Sequence, residues 1–201
     1  MTHPPSFLED PADTREEIMK ATYVALCEHG YSDLTTQRIA AEFPKSKSLL
    51  YYHYDAKDEL LLDFLEFMLD WLEDELPLQE KGGADAHIER IVDRTFGTGP
   101  HIDEDFSRAL VELRAQAAHD EHYREYFTRS DQFVRKHVPY VIRSGIAQGV
   151  FQPVDPDATA ALFQTVFLGA MTQRVTSDDD ILDEARGAFE DYVRACLLEG
   201  A

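Results

Sequence analysis

Residues 33–62 read DLTTQRIAAEFPKSKSLLYYHYDAKDELLL. Thr35 is a good N-cap, and Ile39, Ala40 and Phe43 recur behind it at helical spacing. Pro44 has no donor N–H and disfavours helix at Phe43, so the first segment has to stop there. Ser46 can cap a second start, with Leu49, Leu50 and His53 at helical offsets. Two short helices joined by a tight turn outline a helix-turn-helix, whose second helix is the one offered to a major groove.

The second segment concentrates polar and basic groups. Lys45, Ser46, Lys47 and Ser48 cluster at its start, where free amides and the helix dipole favour a phosphate. Tyr51, Tyr52 and His53 follow. Hydroxyls, short basic arms and backbone donors are the groups that bind phosphates and touch base edges. The plainer alternative is a solvated polar face with Tyr51 partly buried.

Several separated pieces stand in register: Thr35-Thr36-Gln37-Arg38-Ile39-Ala40, Ser46-Lys47-Ser48, Leu50-Tyr51-Tyr52-His53-Tyr54 and Lys57-Asp58-Glu59-Leu60-Leu61. Together they resemble the DNA-binding domain of the TetR family of repressors, from Arg15 through the first third of the chain. The resemblance implies DNA contacts by Thr36 and Gln37 from the first helix of the motif. It implies further contacts by Lys47, Ser48, Tyr51, Tyr52 and His53 from the recognition helix, with Lys57 on a phosphate. The chain departs from the family pattern at three places: Pro44 replaces the usual turn glycine, Lys45 an apolar residue, and Leu49 a small polar one.

The chain has 201 residues, 44% of them hydrophobic, enough for a sizeable core. Cys27 and Cys196 lie far apart and fit no metal or redox spacing, as expected of buried thiols in a reducing cytoplasm. No signal peptide or membrane-length apolar run is present in the sequence, so a cytoplasmic protein is expected. The formal net charge is −20, and residues 1–60 carry 11 acids against 6 bases, net −5. Residues 35–54 nevertheless hold Arg38, Lys45 and Lys47 against Glu42 alone, net +2. Positive charge is concentrated where a DNA contact needs it. Only 6 of the 19 bases are Lys, and this acid-rich balance resembles proteins of salt-loving organisms.

Residues 1–13, with three prolines, are expected to form a flexible arm. Thr14-Arg15-Glu16-Glu17 reads as a capping box that starts a helix closed by Gly30. Residues 14–60 form the expected helix-turn-helix domain and 61–201 a ligand-binding and dimerisation domain. From Lys57 onward, helices are expected over 57–76, 85–96, 103–119, 121–148, 157–175 and 179–198, with breaks at Pro77, Gly82-Gly83, Gly97-Thr98-Gly99-Pro100 and Gly149. No strand-like alternation occurs, so the fold class is all-α.

The last two helices carry wide apolar arcs, as if each buried against more than one partner. The resemblance implies a four-helix homodimer interface from this pair, involving Phe163, Phe167, Ala170, Met171, Ala185, Ala188, Phe189 and Val193. It also implies an enclosed effector. Aromatic and soft residues available to line it are Phe64, Phe67, Met68, Trp71, Phe96, Phe106, Tyr123, Phe127, Phe133, Tyr140, Phe163 and Phe167, with His101, Arg114 and His137 as polar candidates. Such a stripe also serves as plain core. If it is a lining, it suits a small apolar or aromatic effector.

His119-Asp120-Glu121-His122 could share a metal, but at a helix junction His and acids also act as ordinary caps, and no metal or cofactor is expected. No catalytic or dinucleotide motif is present, so no enzyme is expected. The sequence thus points to a DNA-binding transcriptional regulator, a homodimeric repressor released by a ligand. A metal- or lipid-binding helical bundle with little DNA binding is the alternative.

Overall fold

A computed structural model describes residues 6–75, 83–96, 104–178 and 181–198. In chain order the helices are α1 (Ser6–Glu9), α2 (Thr14–Asp33), α3 (Thr36–Glu42), α4 (Lys47–His53), α5 (Lys57–Glu75), α6 (Ala84–Thr95), α7 (Glu104–Gln116), α8 (Glu121–Ala147), α9 (Pro156–Thr176) and α10 (Leu182–Val193). A π-helical turn, Arg194–Leu198, closes the described chain. There is no strand among the described residues. The expected breaks at Pro77 and Gly97–Pro100 lie outside them.

The chain forms two compact units. The first comprises Met1–Asp74 and Asp103–Thr128; the second comprises Glu75–Ile102 and Arg129–Ala201. These units do not follow a single cut at residue 60, because α7 and the first turns of α8 pack with the N-terminal helices.

In the first unit, α2 is the central element, packing on both α3 and α7. Its buried face holds Ile18, Met19, Thr22, Tyr23, Ala25 and Leu26. Ile39, Leu50, Leu60, Phe64 and Leu113 complete the core at 0% exposure. Each such side chain contributes about 1.5–3 kcal/mol by leaving water. The start of α2 lies one residue earlier than Thr14 suggested. Asp13 is the N-cap and accepts from the Glu16 amide at 2.9 Å, while the Glu16 carboxylate reaches back to the Ala12 amide at 2.6 Å. Three residues before Asp33, Gly30 breaks the helical geometry with φ +67° and ψ 169°, where a side chain would be strained.

Within the arm over 1–13 that was expected to be flexible, Ser6–Glu9 form a helical turn. Leu8 is fully buried, α1 packs on α2, and the Lys20 ammonium donates to the Glu9 carbonyl at 2.6 Å. One apolar residue in reach of a core edge is enough to fold a helical turn onto it.

In the second unit, Ile88, Val92 and Phe96 meet Val138, Val141 and Ile142 of α8, Ala160, Phe163 and Ala170 of α9, and Phe189, Val193 and Leu197. Helix α8 runs through Pro139, which cannot donate to the Arg135 carbonyl, yet remains helical. It ends in a Schellman closure. Gly149 sits at φ +72°, its amide bonds Ile146, and the Val150 amide returns to the Gly145 carbonyl at 2.9 Å. Phe151 then lies against Gly145 so closely that a Cβ there would fall 2.1 Å from its ring. Asp155 caps α9 through the amides of Asp157 and Ala158.

Candidate DNA-reading head and effector core

Helices α3 and α4 form as the local sequence dictates. The Thr35 hydroxyl accepts from the Arg38 amide at 3.2 Å, and the chain leaves helix at Phe43, before Pro44. Ser46 is the N-cap residue of α4, but its hydroxyl makes no capping bond. Leu50 anchors α4 at 0% exposure. The polar residues of the same helix face outward: Lys47, Ser48 and His53 are exposed, Tyr51 is 49% exposed and Tyr52 83%. Gln37 and Ser46 are also exposed, and Thr36 half-buried.

Just past α4, Tyr54 fixes the end of the helix. Its phenol donates to Asp63 of α5, and Asp63 is held from the other side by Arg15 at 2.7 Å. Arg15 also lies over the Phe67 ring at 5.4 Å. Burial by itself would raise the Asp63 carboxyl; the Arg15 and Tyr54 hydrogen bonds outweigh it and hold the group below the usual carboxylate range.

Two cations expected at DNA are engaged elsewhere. Lys45 pairs with Glu17 at 2.5 Å and donates to the Thr14 hydroxyl at 2.9 Å. Lys57 donates to the Tyr31 carbonyl at 3.1 Å and sits 4.1 Å above the Tyr31 ring. The phosphate role expected of Lys57 therefore competes with a cation–π contact inside the head. Neither pairing is readable from local spacing, because the partners lie 26 or more residues away.

The residues expected to line one pocket fall into both compact units. In the first, Phe64 is core, Phe106 packs on Tyr23 and Phe64, and Phe67, Met68 and Trp71 are half-buried. Tyr123 is buried with its phenol on Asp58 at 3.0 Å, and Arg114 lies over the buried Phe127 ring at 5.0 Å. In the second unit, Phe189 is contacted by Phe163 at 4.8 Å and Phe96 at 5.9 Å between ring centroids. Phe133 lies 5.8 Å from the His137 ring, Phe167 is half-buried and Tyr140 exposed. His101 lies outside the described residues.

Sequence reading missed His87. Its Nε2 lies 3.1 Å from Nε2 of His137, with both side chains buried. One ring donates and the other accepts, so their tautomers are linked. The signal available was weak, a lone histidine on the buried face of α6.

On α9 and α10, Phe163, Ala170, Met171, Phe189 and Val193 are buried within the chain itself. Ala185 and Ala188 are exposed, and so are Ala161, Leu162, Gly169, Ile181 and Gly187. At the His119–His122 junction, Asp120 accepts from the amides of His122 and Tyr123 and so caps α8. No group of three potential metal ligands occurs among the described residues.

Two family models match the chain. Residues 18–64 match bacterial regulatory proteins of the tetR family, and residues 84–198 match the C-terminal domain of BetI-type transcriptional repressors. The chain belongs to the TetR family. It is a DNA-binding transcriptional regulator with an all-α fold. A TetR transcription regulator from Haloarcula marismortui is 39% identical, with a TM-score of 0.81 over 93% of this chain and 100% of that one. A protein of Saccharomonospora viridis, described as a transcriptional regulator and solved in complex with choline, shares the fold at 20% identity. Its TM-score is 0.79 over 94% of this chain and all of that one. The HTH-type transcriptional regulator HbdR of Aromatoleum is 25% identical over 153 residues, 75% of this chain and 66% of HbdR. Among the described residues of this TetR-family chain, no helix is long and apolar enough to cross a membrane.

Proposed function

We propose that this TetR-family regulator is a cytoplasmic repressor without catalytic activity, acting as a homodimer on a palindromic operator and released by a small effector. The observation carrying the DNA-reading assignment is the split of α4, with Leu50 buried beneath exposed Lys47, Ser48, Tyr51, Tyr52 and His53. A recognition helix needs one apolar anchor and an outward row of donors and aromatic edges. Gln37, Thr36 and Ser46 extend that row, and Lys57 contributes a phosphate contact with the donors its Tyr31 bond leaves over.

Dimerisation uses the open apolar surface of α9 and α10, around Leu162, Gly169, Ile181, Ala185 and Ala188, whose small residues allow close helix approach. Isologous pairing there supplies the two-fold that a palindrome requires. The effector is a small molecule with an apolar or aromatic body. The Saccharomonospora relative holds choline, whose methylated cation also suits aromatic faces, so choline belongs in the same ligand screen.

Footprinting the protein on DNA upstream of its own gene tests the assignment. Lys47→Ala and Tyr52→Ala should each abolish the footprint at the protein concentration that just saturates the native site, while leaving the melting curve unchanged. A footprint that survives both removes α4 from the interface.

A further inference from the structure

Most cations of the DNA-reading head already hold partners within the chain, although Arg15, Arg38 and Lys45 remain exposed. Residues 1–60 contain six Lys and Arg. Arg15 binds Asp63 at 2.7 Å, Lys20 donates to the Glu9 carbonyl at 2.6 Å, and Arg38 donates to the Asp33 carbonyl. Lys45 is paired with Glu17, and Lys57 is held by the Tyr31 carbonyl and ring. Among the described residues of the head, that leaves Lys47 as the cation with no intramolecular partner. Eleven acids accompany these six bases.

A head whose cations stay with these partners on the operator responds weakly to salt. Each phosphate neutralised by a bound cation releases counterions and adds about −0.9 to the slope of log affinity against log salt. A dimer contacting phosphate through Lys47 alone has a slope of about −1.8, and one that also recruits Lys57 about −3.6. Proteins with six to ten phosphate contacts lose roughly 10³–10⁵ in affinity between 50 and 200 mM salt. Repulsion between DNA and the chain's net charge of −20 acts in the opposite sense, since salt screens it. Both effects flatten the response.

We infer that this head discriminates its operator through the base-edge and shape contacts of Tyr51, Tyr52 and Ser48, with phosphate neutralisation confined to Lys47 and at most Lys57, so that binding persists in molar salt. The inference rests on the DNA-reading role proposed above. Binding energy that comes from donors, ring stacking and duplex shape is far less sensitive to ionic strength than counterion release.

The test uses the full chain and a duplex it selects from a random-sequence library, with fluorescence anisotropy from 0.1 to 1 M KCl. The expected slope is shallower than −4, and about 60-fold affinity is lost across the range if Lys47 acts alone. A slope of −4 or steeper overturns the inference and leaves the DNA-reading role standing. If no duplex is selected, that role falls and the inference with it. Two variants check the assignment of charge. Lys47→Gln should make the slope shallower by about 1.8, and Glu17→Gln, which releases Lys45, should make it steeper by about 1.8. Unchanged slopes in both variants would also overturn it.

Discussion

The Tyr123 phenol donates to Asp58 at 3.0 Å, joining the start of α8 to the start of α5 across 65 residues of chain. Tyr31 donates to the same carboxylate oxygen at 3.2 Å, and its own amide donates to Glu112 of α7 at 2.5 Å. The helix that follows the recognition helix is thus tied at its first turn directly to α8, and to α7 only through Tyr31. Burial, then the Asp58 charge and hydrogen bond, pushes the Tyr123 phenol well up from its ordinary value.

Tyr123→Phe keeps the ring and removes the bond. A hydrogen bond to a carboxylate contributes about 1.5–3 kcal/mol, and Tyr31 still serves Asp58, so a loss of about 1–2 kcal/mol is expected. Urea unfolding measures it. Because both phenols share one acceptor, Tyr31→Phe combined with Tyr123→Phe should cost more than the two single changes added together. Strict additivity would mean that Asp58 does not join them.

The Arg15–Asp63–Tyr54 cluster makes stability depend on pH. The folded-state pKa of Asp63 is depressed, so its contribution is complete above the unfolded carboxylate value near 4 and is lost as pH falls through the folded value. Asp63→Asn should therefore be less stable than the native chain at pH 7, by about 1 kcal/mol given the cluster's partial exposure. The gap should close below about pH 4. Denaturant midpoints at pH 7 and 3.5 check the sign; a gap that widens in acid would refute it.

Ala188 stands exposed on α10 while its neighbour Phe189 is buried. Ala188→Arg places a long charged side chain on the face proposed for pairing without entering the core. The expected result is a folded monomer by light scattering, with normal helicity and no operator binding. A dimer of unchanged affinity would move the interface elsewhere.

At Gly145, an added methyl would meet the Phe151 ring at 2.1 Å. Phe151 is itself buried, so the ring cannot swing clear into solvent. Gly145→Ala should cost about 1–3 kcal/mol through overpacking, even though alanine is the better helix former. Thermal melting decides between these opposed effects.

The parts of this fold that were legible in sequence are those whose cause is local. Thr35, Pro44, Gly30 and Gly149 each act through their own backbone or the next turn, and the structure honours all four. The cap of α2 shifted by one residue because Asp13 and Thr14 are both competent, and the choice depends on where Glu16 can reach. Alternation of buried Leu50 with exposed Tyr51 and Tyr52 was likewise visible as helical spacing. What could not be read was where long flexible side chains end. Lys45 and Lys57 looked like free cations beside DNA, yet their heads are captured by Glu17 and Tyr31, contacts that exist only after α2 has packed. The facing imidazoles of His87 and His137 are hidden for the same reason, being 50 positions apart.

The first compact unit is discontinuous in sequence, since Asp103–Thr128 belongs with Met1–Asp74. A fragment truncated after α5 would lack Leu113, which is fully buried, and would leave Tyr31 and Asp58 without Glu112 and Tyr123. Grafting such a fragment onto another sensor domain transfers an exposed core together with the reading helix. Chimeric regulators built from this chain need α7 and the opening turns of α8 carried along, with junctions placed after Thr128 rather than after the recognition motif.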